Sequence, residues 1–204
     1  MAAADGMKKR LATRSLRCTL LAVVLSTTAS VLGQEQVFRI DPSQSSVDFA
    51  LSATLHTVHG SFRIKSGELT IDPAAGKASG VIALDATSAN TGNKSRDSKM
   101  HTEILESRKY PEIRFTVQSM KGDVPGDGDS QIQLTGVMSL HGGDHLMTIT
   151  APIHVANGHV TADIPFVVPY IQWGLKNPST FLLKVSENVD IKVHTVGSLS
   201  PARK

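Results

Sequence analysis

Cysteine and aromatic residues are scarce in this chain of 204 residues. The single cysteine, Cys18, excludes a disulfide framework, an iron–sulfur cluster and a zinc site with four cysteine ligands. Aromatic residues make up only 4% of the chain, which provides little for stacking on nucleic-acid bases. No glycine-rich phosphate loop and no Gly-x-Ser-x-Gly nucleophile motif occur. The hydrophobic content of 40% nevertheless indicates a folded domain with its own core.

An apolar stretch long enough to cross a membrane comfortably, roughly 20 residues, is also missing near the start of the chain. The apolar run Cys18–Leu32 follows five basic residues between positions 8 and 17 and ends at the small residue Gly33. A basic segment, a short apolar segment and a small-residue end are the parts of a secretory signal. The sequence therefore predicts a signal peptide over residues 1–33 and a periplasmic or secreted protein after its cleavage.

Excess basic charge disappears once that segment is removed. The whole chain has a net charge of +3, but 5 of its 21 basic residues and 1 of its 18 acidic residues lie in the first 33 positions. The remaining 16 basic and 17 acidic residues give a net charge of −1. A near-neutral chain without a basic stripe argues against nucleic acid as a partner. Loss of Cys18 with the signal suits an oxidising compartment.

Apolar and polar residues alternate with a period of two through most of the remaining chain. Clear examples are Val47–Leu51, Ile113–Val117, Met147–Val155, Phe181–Val185 and Val189–Val193. Such alternation predicts antiparallel strands with one apolar and one solvated face. We expect a single all-β domain of eight to ten short strands, built as either a sandwich or a closed barrel.

Local signals refine this prediction. Asn157-Gly158 predicts a hairpin with a type I′ turn, because both central positions of that turn need a positive φ. Pro152 and Pro165 interrupt strand patterns and indicate edge positions or bulges. The segment 95–107 has apolar residues at helical spacing and predicts one short amphipathic helix. We expect the domain to cover residues 34–197 and a flexible polar tail to cover residues 198–204.

Histidines are the candidates for metal chemistry. His141 and His145 flank a tight turn where their side chains can converge, whereas His56 and His59 would point to opposite faces of a strand. A catalytic zinc normally needs three protein ligands, and no third ligand is fixed nearby in the sequence. Solvent-exposed histidines are therefore the default interpretation, with a metal-dependent envelope enzyme as an alternative.

Several motifs occur in an order that resembles the YceI-like family of exported bacterial proteins, described as polyisoprenoid-binding. They span nearly the whole chain after the signal and are Phe38–Pro42, Ser45–Phe49, His56 with Gly60–Phe62, Gly67–Pro73, Asn90–Asn93, Arg96-Asp97 with Met100 and Leu105, and Tyr110–Phe115. The sequence departs from the family pattern at Gln44, where histidine is usual, and in the segments 139–145 and 170–178. These departures bear on the ligand more than on the fold.

The resemblance implies an eight-stranded antiparallel lipocalin-like barrel with one short α-helix. It also implies that an isoprenoid lipid or isoprenoid quinone is held in the apolar interior, with no cofactor, metal or catalytic residue. The alternating apolar residues that would contact such a ligand are Phe49, Leu51, Phe62, Ile82, Leu84, Phe115, Met138, Ile149, Ile164 and Phe166. For each of them, simple packing in a filled core is an equally good interpretation.

The candidates for polar or mouth contacts are His56, Arg96 and Trp173, and for Trp173 the alternatives are to cover a barrel end or to line the entrance. Arg96 and Asp97 could hold a polar head group, but Arg96 could equally pair with a strand carboxylate. Asp97 in the first helical turn suits the helix dipole, so a structural role is favoured for it. A structural, stress-related envelope protein with a filled barrel is a further alternative to a carrier. The sequence leaves open homodimerisation and transient contact with a membrane or a membrane enzyme.

Overall fold

The computed structural model of this chain describes residues 35–202 except Ala74 and Leu182. The predicted signal peptide, residues 1–33, lies outside the described residues, and so do positions 203 and 204 of the predicted tail. Within the part that is described, no helix has the length and apolar character needed to cross a bilayer.

Nine strands and one short helix make up the fold of the described residues. The strands are β1 (Gln36–Ile40), β2 (Ser46–Ser52), β3 (Thr57–Asp72), β4 (Lys77–Asn90), β5 (Glu112–Lys121), β6 (Gly128–Leu140), β7 (Gly143–Ala156), β8 (His159–Val168) and β9 (Val189–Pro201). Helix α1 (Lys94–Lys99) continues directly into a π-helical turn over Met100–Ile104.

The strands form one closed antiparallel sheet. β1 and β2 share a single position in the wall, because each of them pairs with β3 on one side and with β9 on the other. From β3 to β9 each strand pairs with the next one in the chain. The wall therefore has eight positions, which confirms the barrel and excludes the sandwich.

The register of the strands places their alternating apolar side chains on the same, inner face of the sheet. Ile82 on β4 lies opposite Phe115 on β5, and Phe115 lies opposite Met138 on β6. Since side chains alternate between the two faces of a strand, residues in register share a face. Inward residues from all nine strands contribute to one hydrophobic cluster, which also includes Leu105, just after the π-helical turn.

Turn chemistry at the ends of the hairpins agrees with the sequence. Asn157 and Gly158 have φ values of 52° and 74°, which confirms the predicted type I′ geometry between β7 and β8. A second two-residue turn joins β6 and β7 at His141 and Gly142, whose φ values are 53° and 77°.

The two prolines lie where the pairing of β7 with β8 stops. That pairing covers only Ile153–Ala156 of β7, and beyond it Pro152 pairs with β6 alone and Pro165 with β9 alone. Proline has no N–H to donate to a ladder, so the two strands separate there. This confirms the predicted edge positions. The segment after β8 reaches back to β7, because Trp173 stacks on His145.

Three sequence-based boundaries need correction. Phe181–Val185 does not form a strand and has only an isolated bridge from Val185 to Ala53. The tail predicted to begin at residue 198 is part of β9 up to Pro201, because residues 198–201 pair with β1. The helical segment ends at Ile104 rather than at residue 107, because Glu106 adopts a φ of 44°.

Candidate functional site

The barrel encloses a cavity of about 690 Å³. Its walls are the inward faces of the strands, and one end is bordered by α1 and by the segments 53–56 and 178–185. All ten apolar residues predicted for the interior line it: Phe49, Leu51, Phe62, Ile82, Leu84, Phe115, Met138, Ile149, Ile164 and Phe166. Whether these side chains contact a ligand remains a prediction, but the space beside them is open rather than filled.

Polar groups of the lining are concentrated at this end, which we call the mouth. The polar residues that line the mouth are His56, Thr91, Asn93, Ser95, Arg96, Lys99 and Thr180. Tyr170 also lines the cavity, and its hydroxyl donates to the carbonyl of Ser186, next to the segment 178–185, at 2.7 Å. The rest of the described lining is apolar except for Thr195, which is buried and whose hydroxyl has no hydrogen-bond partner among the described residues. An apolar molecule in the middle of the barrel would therefore not remove water from any charged group of this lining.

Two of the three predicted mouth residues are at the mouth. His56 and Arg96 line the cavity there, whereas Trp173 does not line it. The Trp173 ring stacks in parallel on the His145 ring, with centroids 4.2 Å apart. Trp173 therefore closes the contact between the segment after β8 and the start of β7 and packs against the core, so of its two expected positions the one lining the entrance is corrected.

The Arg96 and Asp97 side chains hold the start of α1 against the end of β4. Asp97 accepts hydrogen bonds from the Thr91 backbone N–H at 2.9 Å and from the Thr91 hydroxyl at 2.6 Å. Arg96 donates through Nε to the Thr91 hydroxyl at 2.8 Å. Asn93 caps the helix by accepting from the Arg96 N–H. These contacts support the structural role for Asp97, while Arg96 keeps further N–H donors beside the cavity.

Replacing Asp97 with alanine is expected to lower the free energy of unfolding by about 2 kcal/mol, because it removes two partly buried hydrogen bonds to a carboxylate. Urea denaturation measures this loss, with Ser98→Ala on the exposed side of α1 as the control. An Asp97→Ala variant that is as stable as the control, but that has lost affinity for ligand, would show that Asp97 binds a head group instead.

Two side chains, His101 and Glu103, attach the π-helical turn to its neighbours. The His101 ring bonds through Nε2 to the Ala89 carbonyl and through Nδ1 to the buried Ser107 hydroxyl, both at 2.9 Å. A carbonyl only accepts, so Nε2 carries the hydrogen. Glu103 accepts from Lys176 at 2.9 Å, and this bond lowers the pKa of Glu103. α1 and the π-helical turn are thus attached to β4 and to the segment after β8.

His141 and His145 do not converge. The His141 ring lies 4.7 Å from the Tyr110 ring, and its Nε2 is 3.7 Å from a Glu106 carboxylate oxygen, whereas His145 lies against Trp173. Residues 35–202, with the two gaps noted above, hold no cluster of three histidine, cysteine, aspartate or glutamate side chains arranged to hold a metal ion. The geometry gives no support to a metal site in this loop.

The residues predicted for the site leave out most of the lining that lies outside the strands. Lys99, Met100 and Ile104 of the helical segment and Pro178 and Leu183 after β8 all face the cavity. Met100 and Ile104 had a signal, because their spacing marks one helical face. The others belong to segments whose positions depend on tertiary contacts. Thr195 could have been found as the single polar residue in the alternating series of β9.

Residues 38–197 match the YceI-like domain, which accounts for most of the chain. The chain belongs to the YceI-like family. No curated protein matches it.

Solved structures similar to this YceI-like chain share its fold. BcnA of Burkholderia cenocepacia is 17% identical, with 77% of this chain and 98% of that chain covered and a TM-score of 0.64. A polyisoprenoid binding domain from Saccharophagus degradans, implicated in plant cell wall breakdown, is 17% identical, with coverages of 80% and 98% and a TM-score of 0.63. The Campylobacter jejuni YCEI protein is 17% identical, with coverages of 74% and 88% and a TM-score of 0.57.

Two motif segments of this YceI-like chain, 90–97 and 110–115, flank the helical segment. The segment 90–97 supplies the helix cap and the Thr91 contacts described above. Tyr110, which precedes the proline of the Tyr-Pro motif, packs on His141 and also lies against Gly142. The first of these motifs therefore fixes the start of the helical segment beside the cavity, and the second packs on the turn between β6 and β7, so both have a structural role.

Proposed function

We propose that this YceI-like chain is an exported, non-enzymatic binding or carrier protein that holds an isoprenoid lipid or isoprenoid quinone in its barrel. The observation that carries the proposal is the cavity of about 690 Å³, whose deep lining is apolar and whose polar groups lie at one end. A molecule with a long hydrocarbon chain and one polar head matches this distribution. The solved structure from Saccharophagus degradans, described as a polyisoprenoid binding domain, supports the same ligand class.

The size of the cavity limits how much of a ligand is enclosed. At roughly 30 Å³ per heavy atom, the volume share of one water molecule in the liquid, the interior holds on the order of 20 carbon atoms, or about four isoprene units. Each buried methylene contributes about 0.8 kcal/mol. After the cost of association, four units are enough for micromolar affinity or better, on the order of 8 kcal/mol.

The alternative functions have less support. A filled barrel would leave no continuous interior space, which the cavity contradicts. A metal enzyme in the loop at His141 and His145 would need those side chains to converge, and they face different partners. Export is proposed from the basic and apolar arrangement of residues 1–33, and it would place the barrel in the periplasm or outside the cell.

Native mass spectrometry of the full chain, expressed with its leader in a bacterial host, tests the proposal. We expect a bound isoprenoid lipid or quinone at up to one molecule per chain, released into organic solvent and identified by its fragmentation. The same measurement reports the mass of the processed chain and its oligomeric state. Protein that stays empty even after incubation with isoprenoid alcohols and quinones would overturn the proposal.

A further inference from the structure

The cavity mouth carries the most exposed hydrophobic side chains of the described residues. Leu55 is 82% exposed and Phe181 is 95% exposed. Their segments, 53–56 and 178–185, both border the cavity. Exposing an aromatic and an aliphatic side chain so completely is unfavourable in water, and such exposure at the entrance of a binding site is typical of an interaction surface.

Backbone hydrogen bonds join these two segments into one surface, which we call the mouth ledge (residues 53–56 and 179–185, except Leu182). The Thr54 N–H donates to the Lys184 carbonyl at 2.9 Å, and the Lys184 N–H donates to the Thr54 hydroxyl at 3.1 Å. Ala53 and Val185 form a bridge. Leu55 and Phe181 therefore belong to one supported ledge rather than to two independent loops.

Three exposed lysines lie around the mouth. Lys184 is exposed on the ledge, and Lys94 and Lys99 are exposed on α1. None of these lysines forms an ion pair with another described residue.

Two acidic side chains of this end are engaged, whereas Glu187 and Asp190 are exposed and form no ion pair with a described residue. Asp97 accepts from Thr91, and Glu103 is bonded to Lys176. Glu187 follows the ledge, where its charge contributes to the raised pKa of Tyr170. The basic groups left for an external partner, Lys94, Lys99 and Lys184, therefore outnumber the two exposed carboxylates and lie beside two apolar side chains.

We infer that the mouth ledge docks on the surface of a lipid bilayer with anionic head groups. Leu55 and Phe181 would enter the boundary between head groups and acyl chains, while the lysines remain among the phosphates. Each basic group near such a surface adds an attraction that salt screens. The inference rests on the proposed function in one respect: docking by the mouth lets an isoprenoid pass between bilayer and cavity without crossing water.

Vesicle sedimentation without added isoprenoid tests the docking directly. The chain without its leader, freed of any bound lipid, is mixed with phosphatidylcholine vesicles with and without phosphatidylglycerol. We expect binding that requires phosphatidylglycerol and falls with salt. A Leu55→Ser/Phe181→Ser double variant is expected to bind at least about tenfold more weakly. The control is Leu146→Ser, because Leu146 is 72% exposed on the outer wall and does not line the mouth.

The outcomes separate this inference from the proposed function. Wild-type protein that ignores phosphatidylglycerol vesicles, or a Leu146→Ser variant that loses as much binding as the double variant, would overturn docking by the ledge. Reversal of charge in Lys99→Glu/Lys184→Glu is expected to abolish the binding that depends on phosphatidylglycerol, because carboxylates at these positions are repelled by anionic head groups. Unchanged binding of this variant would also count against the inference. These assays contain no isoprenoid, so a failure to bind vesicles would leave the mass-spectrometry evidence for a ligand in the cavity intact. Likewise, protein that stays empty in the mass-spectrometry experiment would leave the vesicle result intact.

Discussion

Replacing Leu84 with tryptophan should lower the affinity of the barrel for geranylgeraniol by about a hundredfold or more. Leu84 lies on β4 between Ile64 and Ile113, is half-buried and lines the cavity. An indole ring at this position would occupy space that a ligand needs. Excluding one isoprene unit removes about 4 kcal/mol of hydrophobic burial, and part of this is recovered by relaxation of the ligand.

Isothermal titration against geranylgeraniol measures the effect. The matched control is Leu84→Met, which keeps the volume and apolar character of the side chain and should change affinity by less than about tenfold. Circular dichroism checks that both variants keep the barrel. A folded Leu84→Trp variant that binds as tightly as the wild type would show that the ligand lies elsewhere.

Replacing Gly80 with alanine should lower the free energy of unfolding by about 3 kcal/mol or more. Gly80 lies within β4 between Leu69 of β3 and Val117 of β5, with a φ of 140°. That backbone conformation is nearly restricted to glycine. A Cβ at this position would lie 2.1 Å from the Glu68 carbonyl oxygen, so the β3–β4 ladder would have to shift.

Urea denaturation of the folded chain measures this loss, and Gly126→Ala is the matched control. Gly126 lies in the loop between β5 and β6, where a Cβ would have no atom within 4 Å, so its replacement should change stability by less than about 0.5 kcal/mol. Equal midpoints for the two variants would mean that β4 accommodates a side chain at position 80.

The barrel interior was predictable because it depends on a short-range pattern. Once Phe115 is inside, the period of two and the register with its neighbours fix the direction of Ile82 and Met138. All ten interior residues predicted from alternation consequently line the cavity. The volume of the cavity was not predictable, because it depends on the curvature of the whole sheet and not on any one strand.

The mouth shows where sequence reasoning failed. Phe181–Val185 alternates like a strand, yet side chains satisfy its backbone instead of a neighbouring strand: the Val185 N–H donates to the Ser179 hydroxyl and the Leu183 N–H to the Thr180 hydroxyl. Serine and threonine compete with a sheet ladder in this way. The position of Trp173 was equally hidden, because its contact with His145 links segments far apart in the chain.

Closure of the barrel wall by its first and last strands has a consequence for folding. Gln36 of β1 lies opposite Pro201 of β9, so the seam joins residues from the two ends of the domain. Contacts of such sequence separation carry a large loop-closure entropy and form slowly. During synthesis β1 and β2 emerge long before β9, and until it arrives their unpaired edge is open to other strands. The chain is therefore most exposed to aggregation before β9, Val189–Pro201, is available for pairing.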